Sequence, residues 1–223
     1  MYEGLPVSAE IAASSVELPL FDVIADGLTG RGFVVLPLAL PPALSEALLL
    51  RVTSLGDEAF RRAGVGRERD FQLNRFVRSD EIRWLGSADP AEAQYLAWME
   101  QLRQAINRRL FMGLFDYEAH FARYLPGAFY KKHIDAFKGR SNRVLSTVFY
   151  LNGGWQEADG GQLLIYGDDD SVVSKVTPLM GTLVVFLSDS VPHEVLAAQR
   201  TRYSIAGWFR VNGSINAQID PPR

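Results

Sequence analysis

Beyond residue 115 the chain consists almost wholly of short runs of β-branched and aromatic residues cut by turn signals. The runs are "EAHFARYL", "RVLSTVFYLN", "GQLLIYG", "GTLVVFLS", "HEVLA" and "RYSIAGWFRVN". Between them lie "LPG", "NGGWQEADGG", "GDDDS" and "PLMG". Many short strands at fairly even spacing predict a sandwich, jelly roll or barrel. The stretch "YKKHIDAFKG", residues 130 to 139, also reads as extended.

Before residue 115 the pattern is helical. "PLFDVIADGLTGRG" predicts a short amphipathic helix stopped by glycine, and "FVVLP" a short strand. "PPALSEALLLRVTSL" opens on proline and repeats leucine at helical spacing. The strongest helix signal is "AEAQYLAWMEQLRQAINRRLF", residues 91 to 111. There Leu96, Met99, Leu102, Ile106 and Leu110 form a stripe that packing on a core explains. Apolar residues make up 48% of the chain, enough to fill such a core. The expected organisation is helical support over 1–115 and a strand-built unit over 116–211.

Between the helices, "RRAGVGRERDFQLNRFVRSDEIRWL" carries Arg61, Arg62, Arg67, Arg69, Arg75, Arg78 and Arg83. Two readings stay open: a solvated loop leading into a hairpin, or a mobile basic finger over about 61–78 that touches a partner. The Asp168, Asp169, Asp170 run reads as a solvated turn.

Charge excludes some partners. With 23 basic and 26 acidic residues and a net charge of -3, there is no global electrostatic case for nucleic acid or an anionic membrane. The absence of cysteine removes disulfides and thiolate metal sites and fits a reducing compartment. No secretory signal or membrane-length apolar run is visible, so a cytoplasmic protein is expected.

The chain has only three histidines. In a strand, residues two apart share a face, so His133 and Asp135 should project together. By itself that spacing is weak, since a surface ion pair explains it equally well. His193 strengthens it, because it opens a distant predicted strand after a proline. Two imidazoles and one carboxylate on one side of a metal leave positions open, the ligand set of non-haem Fe(II) oxygenases. A closed zinc site would want a fourth protein ligand. His120 has no partner on its strand and reads as core or rim. Arg202 lies nine residues after His193 and shares a strand face with Ser204, Ala206 and Trp208. Its planar fork suits the distal carboxylate of an α-keto acid co-substrate, although Arg200 is equally available by parity.

These residues, "HID" (133–135), "PHEV" (192–195) and "RYSIAGWF" (202–209), resemble the 2-oxoglutarate- and Fe(II)-dependent dioxygenases. Within that family they are most similar to the prolyl hydroxylase domain group of animal oxygen sensors and bacterial relatives. "RYLPGAFYKKHID", "FYLN", "GGQLLIY" and "FLSDSVPHEV" follow in the family's order. The resemblance implies an α+β fold: a double-stranded β-helix (jelly-roll, cupin-like) core with N-terminal supporting helices. It implies His133, Asp135 and His193 as iron ligands and Arg202 as the partner of the 2-oxoglutarate C5 carboxylate. Tyr150 would join that arginine through its hydroxyl, Tyr124 would line the co-substrate pocket, and Trp208 would sit beside the metal. Arg143 and Tyr130 match positions facing the substrate, and Arg75 and Arg78 lie in the segment expected to cover it. Ala206 departs from the animal enzymes, which have threonine there. Asp135 speaks against the halogenating relatives, which lack that carboxylate.

The implied cofactors are Fe(II), 2-oxoglutarate and O2, with ascorbate as a stimulant. The implied reaction converts 2-oxoglutarate and O2 to succinate and CO2 while hydroxylating C4 of a prolyl residue in a protein loop. Among bacterial relatives the implied partner is elongation factor Tu. Hydroxylation of free proline or another small molecule, and a non-catalytic 2-oxoglutarate-binding jelly roll, stay open as alternatives. Lys131 and Lys132 have only rim solvation as an expected role.

Overall fold

A computed structural model describes residues 11–63, 78–136, 141–212, 214–215 and 218–219. Two antiparallel sheets face each other. The larger has the order β1-β9-β6-β11-β4-β3-β2 and the smaller β5-β10-β7-β8. Their strands are β1 (Phe33–Leu36), β2 (Arg61–Arg62), β3 (Glu81–Trp84), β4 (Leu114–Tyr124), β5 (Tyr130–His133) and β6 (Arg143–Tyr150). The remainder are β7 (Leu163–Tyr166), β8 (Val172–Val176), β9 (Leu183–Leu187), β10 (His193–Val195) and β11 (Arg202–Val211). This is the double-stranded β-helix expected from the sequence.

Three helices cover the outer face of the larger sheet: α1 (Ile11–Arg31), α2 (Pro42–Ser54) and α3 (Pro90–Leu110). The start of α3 is set locally. Asp89 accepts hydrogen bonds from the backbone N–H of Ala91 and Glu92, and proline follows it where no N–H is needed. Its buried face is Tyr95, Trp98, Met99, Leu102 and Ile106, so Leu96 and Leu110 lie at the margin of the expected stripe.

Period-two alternation sorts the larger sheet's residues between two cores. On β9, Leu183 and Val185 pack with the helices, while Val184 and Phe186 face the smaller sheet. Phe149 and Ile205 likewise face the helices, and Tyr150 lies in the interior between the sheets. A strand buried on both faces reads as an unbroken apolar run, which explains "LVVFL".

The N-terminal half is more than helical support. It contributes β1, paired with β9, and the antiparallel pair β2 and β3, joined through β3 to β4. Residues 64–77 of the expected finger, with Arg67, Arg69 and Arg75, lie outside the described residues. At the margins of that segment the basic character is partly offset, because Arg78 pairs with Asp80 and Arg83 with the buried Glu92. Strand β8 went unrecognised in the sequence: its exposed Val172 and Val173 sit beside "GDDDS", whose acids dominate the local reading. In that turn Asp169 accepts from the Ser171 hydroxyl and Asp170 pairs with Lys132. Lys132 therefore has a partner and is not simply rim-solvated.

Candidate active site

His133, Asp135 and His193 come together with one potential ligand atom each, all within 4.8 Å of one another. His193 and His133 are paired across the β10–β5 ladder, and β10 pairs on its other side with β7. The two rings lie 4.3 Å apart between centroids. Asp135 corrects the simple strand argument. It lies in the bend after β5 ends at His133, so two-residue parity within a strand does not aim it. Tertiary contacts do. The backbone N–H of Ala136 donates to Ser188 O at 3.0 Å, tying the bend to the chain after β9.

The orientation of each ligand is determined by its other polar atom. His133 Nδ1 lies 2.7 Å from Lys131 O and His193 Nδ1 lies 3.0 Å from Val191 O. A carbonyl can only accept, so each Nδ1 carries the proton and each Nε2 presents a lone pair. The Nε2 atoms lie 3.4 Å and 3.8 Å from Asp135 Oδ1. The other carboxylate oxygen, Oδ2, accepts from Ser146 Oγ at 2.6 Å and Trp208 Nε1 at 3.0 Å. Ser146 and Trp208 are direct partners across β6 and β11, so sheet register delivers both donors to one oxygen.

Electrostatics favours the metal-ready protonation states. Burial pushes His193 down to about 4, and that leaves it neutral at physiological pH. Burial opposes charge on Asp135, yet its carboxyl is held well below its ordinary range, and the hydrogen bond from the Ser146 hydroxyl favours the charged form.

Arg202 anchors a second cluster in the interior. It is 1% exposed and paired in register with Tyr124. Its guanidinium carbon lies 4.7 Å from the Tyr124 ring centroid and 4.9 Å from that of Tyr150. Arg202 donates to Ser204 Oγ at 3.2 Å, yet Arg202 Nε and the Tyr150 hydroxyl are both buried without a hydrogen-bond partner. Among the described residues no carboxylate pairs with Arg202. Two adjacent orphaned donors beside a buried cation are what the carboxylate of an absent ligand would satisfy. Burial raises the Tyr124 and Tyr150 hydroxyls, so both stay protonated. Gly161, in the "GGQLLIY" run, is required here: with φ at +66°, an added Cβ would stand 2.9 Å from Arg202 Cδ.

The remaining expected residues divide. Trp208 bonds Asp135 and carries the Arg143 guanidinium 3.6 Å from its ring. Arg143 is also bonded to Glu118 at 2.8 Å. Tyr130 stacks on His133, and Arg78 lies 4.6 Å from the Tyr130 centroid. Arg75 lies outside the described residues. His120 is buried between Trp84 and Trp208, away from the triad's ligand atoms. Sequence reasoning missed Ser146, Ser188 and Asp80. Ser146 had a signal, since it is the polar residue of an apolar strand on the same parity as Tyr150. Ser188 and Asp80 had none in local pattern.

The donor set of two imidazole nitrogens and one carboxylate oxygen fits Fe(II) with open positions, and the Arg202 cluster fits a dicarboxylic keto acid. Comparison with known proteins agrees. Residues 119–210 match the 2OG-Fe(II) oxygenase superfamily. Mouse prolyl hydroxylase EGLN3 is 30% identical over 194 residues, 80% of this chain and 78% of that protein. The crystal structure of a Pseudomonas putida prolyl-4-hydroxylase superposes with a TM-score of 0.79 at 43% identity, covering 86% of this chain and 100% of the other. A Trichoplax adhaerens prolyl hydroxylase, solved with a hypoxia inducible factor peptide fragment, gives 0.79 at 27% identity over 91% and 94% of the two chains. With the His133–Asp135–His193 geometry and the relatives in agreement, the chain belongs to the 2OG-Fe(II) oxygenase superfamily, as a dioxygenase among its prolyl hydroxylases.

Proposed function

We propose that this enzyme hydroxylates C4 of a prolyl residue in a loop of a protein, with elongation factor Tu the candidate substrate. The observation that carries the reading is the buried Arg202 with its orphaned Nε beside the orphaned Tyr150 hydroxyl, in the sheet interior that also holds the His133–Asp135–His193 triad. The solved structure with a bound peptide fragment supports a protein loop over a free amino acid. The resemblance to bacterial members of the group supports elongation factor Tu.

In this reading His133, Asp135 and His193 hold Fe(II). The bound iron supplies the oxidising chemistry that couples decarboxylation of 2-oxoglutarate to hydroxylation of a substrate carbon. The protein's own part is orientation and exclusion of water. Lys131 O and Val191 O keep the two Nε2 atoms aimed inward. Ser146 and Trp208 occupy Asp135 Oδ2, which leaves Oδ1 as the single ligand oxygen. Arg202 receives the C5 carboxylate of 2-oxoglutarate, with Tyr150 donating a second hydrogen bond and the Tyr124 ring closing one wall. The apolar interior of Leu163, Ile165, Val184 and Phe186 keeps water from the reacting centre. Arg143, Tyr130, Arg75 and Arg78 are assigned to the substrate side, and 116–211 to the catalytic unit.

Anaerobic addition of Fe(II) and 2-oxoglutarate should give the weak visible charge-transfer band of the chelate. His133→Ala should abolish it, and Arg202→Ala should require far more co-substrate. Intact elongation factor Tu should then gain one oxygen on a single proline, with matching succinate. Succinate release stimulated by free proline, with elongation factor Tu unmodified, would overturn the substrate assignment.

A further inference from the structure

The two histidines of the triad are supported unequally. His193 is flanked by β5 and β7, has a side chain 6% exposed, and meets the edge of Phe186 at 4.6 Å. His133 is the last residue of β5, with a side chain 15% exposed, and the chain bends away directly after it. Its bond to Lys131 O fixes one point of the ring and leaves the plane free to rock about that point. The plane is fixed by Tyr130, which lies nearly parallel to it at 15° and 3.5 Å between centroids.

Tyr130 is in turn covered by the Arg78 guanidinium at 4.6 Å. Tyr130 thus contacts His133 and Arg78 at once. Arg78 is itself fixed by a two-pronged bond to Asp80, Nε to Oδ1 at 2.6 Å and the second nitrogen to Oδ2 at 2.9 Å. Asp80 is 1% exposed. A buried carboxylate holding an arginine fork defines both position and plane, which a single contact could not do. The backbone here has its own anchors: Ala63 N–H to Asp80 O, Ser79 N–H to Phe129 O, and a bridge between Arg78 and Tyr130. The Asp80 side chain is therefore not needed to keep the strand in place.

We propose that Asp80, acting through Arg78 and Tyr130, is a positioning residue for His133. The inference rests on the reading of His133 as an iron ligand. It reassigns the main work of Arg78 and Tyr130 from contacting substrate to holding the weaker-supported ligand in its plane. Removing such an outer partner typically weakens metal affinity by about 10- to 100-fold.

The test is anaerobic Fe(II) titration of the full chain without co-substrate or substrate, with circular dichroism to verify folding. Asp80→Asn and Tyr130→Leu should each weaken Fe(II) binding by about 10-fold or more. Tyr130→Phe, which keeps the ring that stacks on His133, should bind Fe(II) more tightly than Tyr130→Leu. Asp80→Asn or Tyr130→Leu binding Fe(II) normally, or Tyr130→Phe failing as badly as Tyr130→Leu, would overturn the proposal. A purely substrate-facing role would leave Fe(II) affinity intact in all three and raise only the substrate KM. Should Asp80→Asn not fold, Arg78→Gln takes its place, and its binding Fe(II) normally would overturn the proposal. Wild type that fails to bind Fe(II) would overturn the iron-site reading itself, a result distinct from the others.

Discussion

The two faces of the larger sheet are made by the same strands and do opposite things. Its outer face presents Phe121, Leu145, Phe149, Leu183, Ile205 and Phe209 to the helices, and every one is fully or nearly fully buried. Its inner face, one residue out of phase, presents Tyr124, Ser146, Tyr150, Arg202, Ser204 and Trp208. A sheet with both faces polar would have no core to hold it, and one with both faces apolar would have no chemistry. The outer face therefore supplies the stability against which the inner face can carry a buried cation and unpaired donors.

If that division is real, truncating the outer face should cost fold and spare function. Phe149→Ala should lose about 3–5 kcal/mol of stability through the cavity it leaves. The fraction that stays folded should bind 2-oxoglutarate normally, as read by denaturant melts and co-substrate titration. The inner face should behave in reverse. Arg202→Leu should weaken 2-oxoglutarate binding by about 2–5 kcal/mol, the range for truncating one partner of a buried charge pair. Its thermal midpoint should not fall, because among the described residues no carboxylate offsets the burial of that cation. A large drop in midpoint would show that the guanidinium belongs to the core and would break the comparison.

Smaller effects sharpen it. Ser146→Ala removes one of the two donors to Asp135 Oδ2 and should weaken Fe(II) binding by about 10-fold or more. A normal affinity would mean that Trp208 alone fixes the carboxylate.

An effect of pH concerns His120, an inner-face residue outside the triad. Burial pushes it down to about 3 from an ordinary value near 6.5. Between those values the unfolded chain binds more protons than the folded one, so stability rises with pH. It is lost as pH falls from about 6.5 toward 3, by up to about 1.4 kcal/mol per pH unit. His120→Gln should flatten that slope between pH 6 and roughly pH 4.5, measured by urea melts. An unchanged slope would mean that the ring is protonated without unfolding.

How legible this was in the sequence depended on the range of the interaction. The strands that carry the site were readable because alternation is local, and so was α3 because its cap and apolar stripe are local. That His133, Asp135 and His193 would come together was readable because the chain has only three histidines. The physical reason given for Asp135 did not survive: it lies past the end of β5 and is oriented by Ser146, Trp208 and the Ala136–Ser188 bond. Ser188 and Asp80 were invisible because nothing near them in the chain marks their use.

From the sequence alone came the helices, most of the strands, the alternation of faces along them and the chemical types available to a site. All follow from backbone geometry acting over a few residues. The tertiary structure decided the rest. It set Ser146 opposite Trp208 so that both reach one oxygen, brought Arg78 to the Tyr130 ring, and left Arg202 without a carboxylate partner among the described residues. Those outcomes depend on the register between strands far apart in the chain, which is selected by packing of the whole core and written in no local pattern.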